Sequence, residues 1–218
     1  MKNSVLSGVE ALVRWQHPEH GLIYPDKFIQ LSEDTGVIGV LTEEITNIVI
    51  TQIEQWRRQG SDIKVSVNIS AQNITTLNLP EQLNELMNRH KIPPSMLVLE
   101  VTESALMGNL TLSLDILTRL RLKGIHLSID DFGTGFSSLS QLHKIPFTEL
   151  KIDQSFVADM DKNSDSYAIV ETCIMLGHKL HMEVVAEGIE DQTIWNLLVE
   201  MGCDVAQGYF IAKPMSAN

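Results

Sequence analysis

The chain has 218 residues, 44% of them hydrophobic and 20% charged, which is enough to bury a full core as one domain over residues 1–218. Sixteen basic residues against 28 acidic ones give a formal charge of −12, which argues against nonspecific binding to DNA, RNA or an anionic membrane. Because the sequence has no run of about 18 apolar residues and no apolar signal core, it predicts a soluble chain, although a longer parent protein could carry a membrane anchor.

Cys173 and Cys203 are the only cysteines, and their spacing matches neither a zinc site nor a disulfide framework. We expect both thiols to be buried as small side chains, in a protein of the reducing cytoplasm. None of the seven histidines has metal-ligand spacing to another, so we expect them at the surface or in the core.

Short β-branched runs alternate with longer amphipathic stretches along the chain. The predicted strands are Val9–Arg14, Lys64–Ile69, Met96–Val101, His126–Ile129, Glu149–Ile152, Glu183–Ala186 and Val205–Ile211. The predicted helices are Pro25–Thr35, Glu43–Gln59, Pro80–His90, Thr111–Lys123, Ser137–Leu142, Ser166–Leu180 and Asp191–Met201. Gly60, Gly124 and Gly202 each follow a helical run, where a left-handed cap residue belongs. This alternation is typical of parallel strands joined by crossover helices.

Seven predicted strands are one fewer than a closed (β/α) barrel needs, since such a barrel has eight strands and about 250 residues. The first predicted strand, Val9–Arg14, begins a few residues after Met1. The pattern therefore predicts an α/β fold, a TIM-like (β/α) barrel that is incomplete at its N-terminus. An incomplete barrel would have an open seam, where unpaired backbone groups weaken the structure.

Polar side chains lie at the ends of nearly all the predicted strands, where a buried strand would ordinarily stay apolar. In a parallel barrel these ends meet at one face, which carries the active site. Carboxylates crowded there raise one another's pKa unless cations neutralise them, and oxygen ligands from Asp, Glu and Asn suit Mg²⁺ or Mn²⁺. The residues are Glu10, Asn68, Glu100, Glu103, Asp130, Asp131, Lys151, Asp153, Glu187, Glu190 and Gln207.

The adjacent acids Asp130 and Asp131 can serve two ions, with one carboxylate bridging, an arrangement that activates water and clamps the leaving oxygen of a phosphodiester. A single strand-end carboxylate is more often a helix cap or a solvated turn residue. For Glu103, Asp153 or Glu190 alone, the two interpretations are balanced. For Glu10, Asn68, Glu100, Asp130 and Glu187 taken together, a metal site is favoured.

Lys151 stands between two apolar residues, Leu150 and Ile152, on its predicted strand. Alternation of side chains along a strand directs the lysine away from them, into the barrel interior or its mouth. A lysine in that place needs a carboxylate partner or a reacting water.

Seven motifs, in order between Val9 and Pro214, resemble those of the EAL family of cyclic di-GMP phosphodiesterases. They are Glu10-Ala11-Leu12, Val67-Asn68, Glu100-Val101-Thr102-Glu103, Asp130-Asp131-Phe132-Gly133, Lys151-Ile152-Asp153, Glu187-Gly188-Ile189-Glu190 and Gln207-Gly208-Tyr209. The resemblance implies metal-dependent hydrolysis of cyclic di-GMP to linear pGpG, by attack of water on one of the two phosphodiesters.

The resemblance also implies roles for the individual residues. Two Mg²⁺ or Mn²⁺ ions would be held by Glu10, Asn68, Glu100, Asp130, Asp131 and Glu187. The catalytic groups would be Lys151, which orients or deprotonates the attacking water, with Glu187 and Glu10. The substrate-binding residues would be Leu12, Arg14, Asp153, Glu190 and Gln207, with Arg14 suited to a phosphate oxygen. Glu103 would anchor a mobile loop, Phe132–Ser138, whose glycines permit backbone change.

Beyond the site, the resemblance implies a homodimer, and upstream sensor or regulatory domains in a longer parent chain. Two alternatives stay open. One is a noncatalytic cyclic di-GMP-binding regulatory module, supported only by the missing first strand, which in the family carries a Gln-Pro pair. The other is an unrelated metal-dependent barrel enzyme, such as an enolase-type proton abstractor, because a fold alone does not fix function.

Overall fold

The part of the chain that the structure describes contains nine strands and seven α-helices. The structure is a computed structural model, and it describes residue 1 and residues 5–107, 109–135, 142–158 and 160–217. In chain order the strands are β1 Gly8–Ala11, β2 Trp15–His17, β3 Gly21–Ile23, β4 Lys64–Asn68, β5 Leu97–Thr102, β6 His126–Phe132, β7 Glu149–Ile152, β8 Glu183–Ala186 and β9 Val205–Ala206. The helices are α1 Ile29–Asp34, α2 Ile38–Arg58, α3 Leu79–His90, α4 Leu110–Leu122, α5 Gln154–Ala158, α6 Asp165–Lys179 and α7 Gln192–Met201.

Seven of the strands form one parallel sheet, in the order β1-β4-β5-β6-β7-β8-β9. Its pairs run from Gly8 opposite Lys64 to Ala186 opposite Ala206. Parallel neighbours cannot be joined by tight turns, and helices supply the crossover connections. The sheet curls into part of a barrel, so the predicted α/β class and the seven barrel strands are confirmed.

The end strands of this sheet, β1 and β9, face each other across a seam with no ladder between them in the described ranges. At one end of the seam, the Met1 amino group donates a hydrogen bond to the Asp204 carbonyl. At the other end, Gln207 Nε2 donates to Glu10 Oε2 over 2.7 Å. The seam is therefore spanned by individual polar contacts, one on each side of β9.

The core lies between the sheet and the inward faces of the helices. Leu127 and Leu150 on the strands are fully buried, as are Ile53 on α2, Ile116 on α4 and Leu198 on α7. Full burial of an aliphatic side chain of this size contributes about 1.5–3 kcal/mol. This core fixes the strands whose carboxyl ends carry the polar residues.

A short antiparallel hairpin, β2–β3, was not predicted. The strand expected over Val9–Arg14 ends at Ala11, and residues 12–14 lead out of the sheet into the hairpin. Its turn contains Pro18 and is followed by Gly21 at the start of β3, and His17 Nδ1 accepts hydrogen bonds from the Glu19 and His20 amides. Pro and Gly in close succession were the turn signal that would have revealed it.

Several other boundaries differ from the predictions. The strand expected over Val205–Ile211 ends at Ala206, because the following residues turn back onto the Gly208 carbonyl. The helix expected over Pro25–Thr35 is divided at Phe28 into a 3-10 turn and α1. Helix α2 begins five residues before the predicted Glu43, and α5 was not predicted. The helix expected at 137–142 lies almost wholly outside the described residues.

The expected caps and buried thiols are confirmed. Gly60, Gly124 and Gly202 have φ values of +84°, +89° and +78°, the left-handed conformation that ends each helix. Cys173 and Cys203 are buried, and burial raises the pKa of their thiols to about 11 and about 12. Within the described ranges, no helix combines the length and apolar character that crossing a bilayer requires.

Candidate active site

Lys151 is the centre of a polar cluster at the carboxyl ends of the strands. Its side chain is 2% exposed, and its Nζ lies 2.7 Å from Glu187 Oε1 and 3.0 Å from Glu100 Oε2. Asp130 Oδ1 is 3.3 Å away and Glu10 Oε2 is 3.8 Å away. Of the two alternatives for this lysine, a carboxylate partner or a reacting water, the structure shows carboxylate partners, four of them.

Burial and crowding shift the pKa values of this cluster. Burial raises the pKa of Glu100 to about 8, and the neighbouring Glu10 and Asp130 add to the rise while Lys151 opposes it. Burial likewise raises the pKa of Glu187 to about 7. Burial alone would lower the pKa of Lys151, but the surrounding carboxylates outweigh it and hold that pKa above its usual value. The lysine therefore stays charged at neutral pH, and the surplus of carboxylates favours further cations.

The adjacent acids Asp130 and Asp131 both reach this cluster because strand β6 is irregular between them. The pairing of β6 with β7 shifts register between Ile129 and Phe132, and Asp131 has a φ of +54°. In a regular strand, successive side chains point to opposite faces. The irregularity brings one carboxylate oxygen each from Asp130, Asp131 and Glu187 within 4.8 Å of one another.

Two amides fix the carboxylate of Glu10. Asn68 Nδ2 donates to Glu10 Oε1 over 2.8 Å, and Gln207 Nε2 donates to Oε2 over 2.7 Å. An ionised carboxylate only accepts hydrogen bonds, so each amide must turn its NH₂ group toward Glu10. The Oδ1 of Asn68 is then directed away from Glu10, as an oxygen available to a cation.

The donor set of the cluster fits a hard divalent cation. Every candidate ligand atom is a carboxylate or amide oxygen, and Mg²⁺ and Mn²⁺ prefer such oxygens whereas zinc and copper prefer nitrogen or sulfur. The group formed by Asp130, Asp131 and Glu187 is compact enough to hold a metal ion. Burial raises the pKa of Asp131, and the neighbouring Asp130 and Asp153 add to the rise, as expected for carboxylates that lie close together.

The described part of the predicted loop at 132–138 is tied to Glu103. This side chain is 4% exposed, and its Oε2 accepts hydrogen bonds from the amides of Gly133 and Gly135, each over 3.3 Å. A Cβ at Gly135 would lie 2.7 Å from Glu103 Oε1, so only glycine allows this approach. The remainder of the predicted loop, 136–138, lies outside the described residues.

The EAL domain profile matches residues 1–214. The chain belongs to the EAL domain family. Its sequence is 41% identical over 217 residues to the bifunctional diguanylate cyclase/cyclic di-GMP phosphodiesterase MucR of Pseudomonas aeruginosa, covering 99% of this chain and 32% of that protein. It is 38% identical over 208 residues to the cyclic di-GMP phosphodiesterase NbdA of the same species, covering 95% of this chain and 27% of that protein. The chain thus spans about a third or less of these curated relatives.

A solved structure of the MucR phosphodiesterase, in complex with c-di-GMP, superposes on this EAL domain with a TM-score of 0.91. Its sequence identity is 42%, and the match covers 96% of this chain and 85% of that one. The expected TIM-like architecture is therefore confirmed by comparison as well as by the sheet order.

The residues expected to contact substrate differ in their exposure and in their contacts. Leu12 is 44% exposed, and Glu190 is exposed and makes no hydrogen bond or ion pair with the Lys151 cluster among the described residues. Asp153 directly precedes α5, and its Oδ1 accepts hydrogen bonds from the amide and the hydroxyl of Ser155. The cap interpretation considered for Asp153 therefore holds, and its influence on the pKa of Asp131 shows that it also adjoins the cluster.

A buried amide, Asn73, was missed in the sequence. Its side chain is 4% exposed, and its Oδ1 accepts hydrogen bonds from the Ser70 amide, the Ser70 hydroxyl and the Thr42 hydroxyl. These bonds join α2 to the loop that leaves β4 directly after Asn68. The signal was the group of polar residues Ser70, Gln72 and Asn73, directly after the predicted strand Lys64–Ile69.

Gln207 lies directly after β9, in a turn whose backbone is hydrogen-bonded on both sides. Its amide donates to the Ala186 carbonyl over 2.9 Å, and its carbonyl accepts from the Ile189 amide over 3.1 Å. The next residue, Gly208, passes so close to Ile189 that a Cβ there would lie 2.2 Å from the Ile189 carbonyl oxygen. The Ile189 atoms that a Cβ would meet belong to the backbone, and they cannot move aside as a flexible side chain can.

Gly208→Ala is therefore expected to lower the free energy of unfolding by about 1–3 kcal/mol, the usual cost of overpacking. It should also weaken the hydrogen bond from Gln207 to Glu10. Chemical denaturation measures the first effect. Gly39→Ala is the matched control, since a Cβ at Gly39 on helix α2 meets no atom within 4 Å. That control should be neutral or slightly stabilising. Equal stabilities of the two variants would contradict the close approach.

Proposed function

We propose that this EAL domain hydrolyses cyclic di-GMP to linear pGpG in a metal-dependent reaction. The observation that carries the proposal is the buried Lys151 with the carboxylates of Glu10, Glu100, Asp130 and Glu187 gathered around its Nζ. The phosphodiesterase names of MucR and NbdA support the same activity. The noncatalytic alternative would be favoured by a lost ligand, and none of the motif residues is lost.

Two Mg²⁺ or Mn²⁺ ions would be held by Glu10, Asn68, Glu100, Asp130, Asp131 and Glu187. Ions bound there supply an activated water and neutralise the leaving oxygen of a phosphodiester. The fit of the donor set, all oxygen and strongly anionic, supports this assignment.

Lys151, Glu187 and Glu10 would position the attacking water and the ions. Lys151 Nζ lies among four of the carboxylates assigned to the ions, so we assign it to orienting the attacking water. Glu187, whose carboxylate lies 2.7 Å from Lys151 Nζ, is the nearest group that can accept a proton. Glu10 is held from both sides by Asn68 and Gln207, which fixes the edge of the site at the seam.

For substrate binding, we assign Leu12, Arg14, Asp153 and Glu190 to contacts around the rim. Gln207, also expected to touch substrate, has its NH₂ group committed to Glu10 and retains its Oε1 for a ligand. We further propose a homodimer, which the family resemblance implies. We also propose regulation by other domains of a longer parent chain, because the curated relatives are about three to four times as long as the matched region.

The metal requirement gives the direct test. The pure protein, incubated with cyclic di-GMP and Mg²⁺ or Mn²⁺, should yield pGpG, resolved from substrate by chromatography. Excess chelator should abolish the product, and Ca²⁺ should inhibit because its looser coordination misplaces the water. Full turnover in chelator, with metal content verified as nil, would show that the site works without a metal.

A further inference from the structure

The β2–β3 hairpin places Arg14 opposite Tyr24. The paired residues of the hairpin are Trp15 with Ile23, Gln16 with Leu22 and His17 with Gly21. Arg14 and Tyr24 are the residues that flank the hairpin at its open end, one before β2 and one after β3. The Arg14 guanidinium accordingly lies over the Tyr24 ring, with Cζ 4.9 Å from the ring centroid.

The base of this hairpin is fixed to the domain. The Trp15 ring packs edge-on against Phe28, with centroids 5.9 Å apart, and Phe28 is 7% exposed. Arg14 has a second restraint, a hydrogen bond of 2.7 Å from Nη1 to the Val13 carbonyl. A guanidinium has five N–H donors, so most of those on Arg14 are left for a ligand. The Arg14 side chain is thus restrained, while most of its N–H donors remain available to a ligand.

We propose that Tyr24 is a positioning residue, whose ring holds the Arg14 guanidinium ready for a phosphate oxygen of the substrate. This inference rests on the proposed function, in which Arg14 contacts cyclic di-GMP. Arg14 is only partly buried. A long arginine side chain has many rotamers, and binding becomes weaker when they must be restricted on association. An aromatic face beneath the guanidinium restricts them beforehand and also attracts the cation.

The ring face, rather than the hydroxyl, is the group that acts. Tyr24→Phe should keep KM for cyclic di-GMP within twofold of wild type. Tyr24→Leu should raise KM about two- to fivefold, the change that corresponds to about 0.5–1 kcal/mol of cation–π attraction at an exposed site. The value of kcat should stay within twofold for both variants, since neither touches the Lys151 cluster. A rise in KM with both variants, or with neither, overturns the proposal.

A double-mutant cycle separates positioning from direct contact. If Tyr24 acts through Arg14, Tyr24→Leu should raise KM no further in an Arg14→Ala background. An undiminished effect there would mean that the ring touches the ligand itself, and the positioning role would be wrong. Leu22→Ala, on the same hairpin and similarly exposed, controls for general loss of hairpin surface. A comparable rise in KM with that control also overturns the proposal.

One measurement is independent of turnover. The Arg14 Nε–Hε resonance should carry a ring-current shift in the wild type and in Tyr24→Phe, and lose it in Tyr24→Leu. Loss of that shift in Tyr24→Leu together with an unchanged KM would show that the ring stacks on Arg14 in the wild type but has no role in binding, and would overturn the proposal. A wild type that shows the shift but does not bind or hydrolyse cyclic di-GMP would instead refute the proposed function.

Discussion

Asp130→Asn is expected to lower the rate of cyclic di-GMP hydrolysis about a thousandfold while leaving the fold in place. Asp130 lies 3.3 Å from Lys151 Nζ and shares the compact group with Asp131 and Glu187. Its carboxylate is one of those assigned to holding the ions, so its loss removes several kcal/mol of transition-state stabilisation. Glu10→Ala should lose activity for the same reason.

The structure should tolerate the Asp130→Asn change, because it removes one negative charge from a crowded anionic cluster. Turnover by chromatography, Mn²⁺ affinity by calorimetry and the melting temperature together separate loss of metal from loss of fold. Asp115→Asn, on the exposed face of α4, is the matched control and should leave turnover unchanged. Near wild-type turnover of Asp130→Asn would show that the site has been assigned to the wrong residues.

Lys151→Met is expected to abolish hydrolysis and to lower the free energy of unfolding of the metal-free protein by about 3–5 kcal/mol, as usual when a buried charge loses its partner. The variant keeps every oxygen ligand, so it should still bind Mn²⁺, and the bound ion should restore much of the stability. A variant that has lost its metal affinity would give Lys151 a structural role in the metal site.

The pH dependence of that stability follows from the raised pKa values of Glu100 and Glu187. Between the ordinary carboxylate range and about pH 8, the folded state binds more protons than the unfolded state. Stability in chelator should therefore fall as the pH rises through this window, and more steeply in Lys151→Met than in the wild type. Lys162→Met, which removes only an exposed ion pair with Glu200, is the control. A pH-independent melting temperature for Lys151→Met would contradict the crowded-carboxylate account.

The parts of this fold that depend on local pattern could be predicted from the sequence. Strand β7 at Glu149–Ile152 and strand β8 at Glu183–Ala186 have the predicted bounds, because in each a short segment with apolar residues ends directly before an acidic residue, Asp153 or Glu187. The convergence of the polar residues follows from parallel topology alone, once the strands are known.

The parts that depend on long-range geometry could not be predicted. The contact of Gln207 with Glu10 joins residues 197 positions apart, and it exists because the curled sheet brings its end strands together. The stacking of Arg14 on Tyr24 depends on a hairpin of two three-residue strands, too short for periodicity to reveal. The β6 irregularity involves a single residue, and pattern analysis over longer windows averages it away.

That irregularity shows a trade-off between stability and function within one residue. The left-handed backbone of Asp131 costs a non-glycine residue about 1–2 kcal/mol, which glycine would avoid. The chain carries aspartate there nonetheless, so a carboxylate beside Asp130 is retained at a position where the backbone alone would select glycine. Selection for stability alone would therefore favour Asp131→Gly. That substitution would remove one of the three carboxylates that can hold a metal.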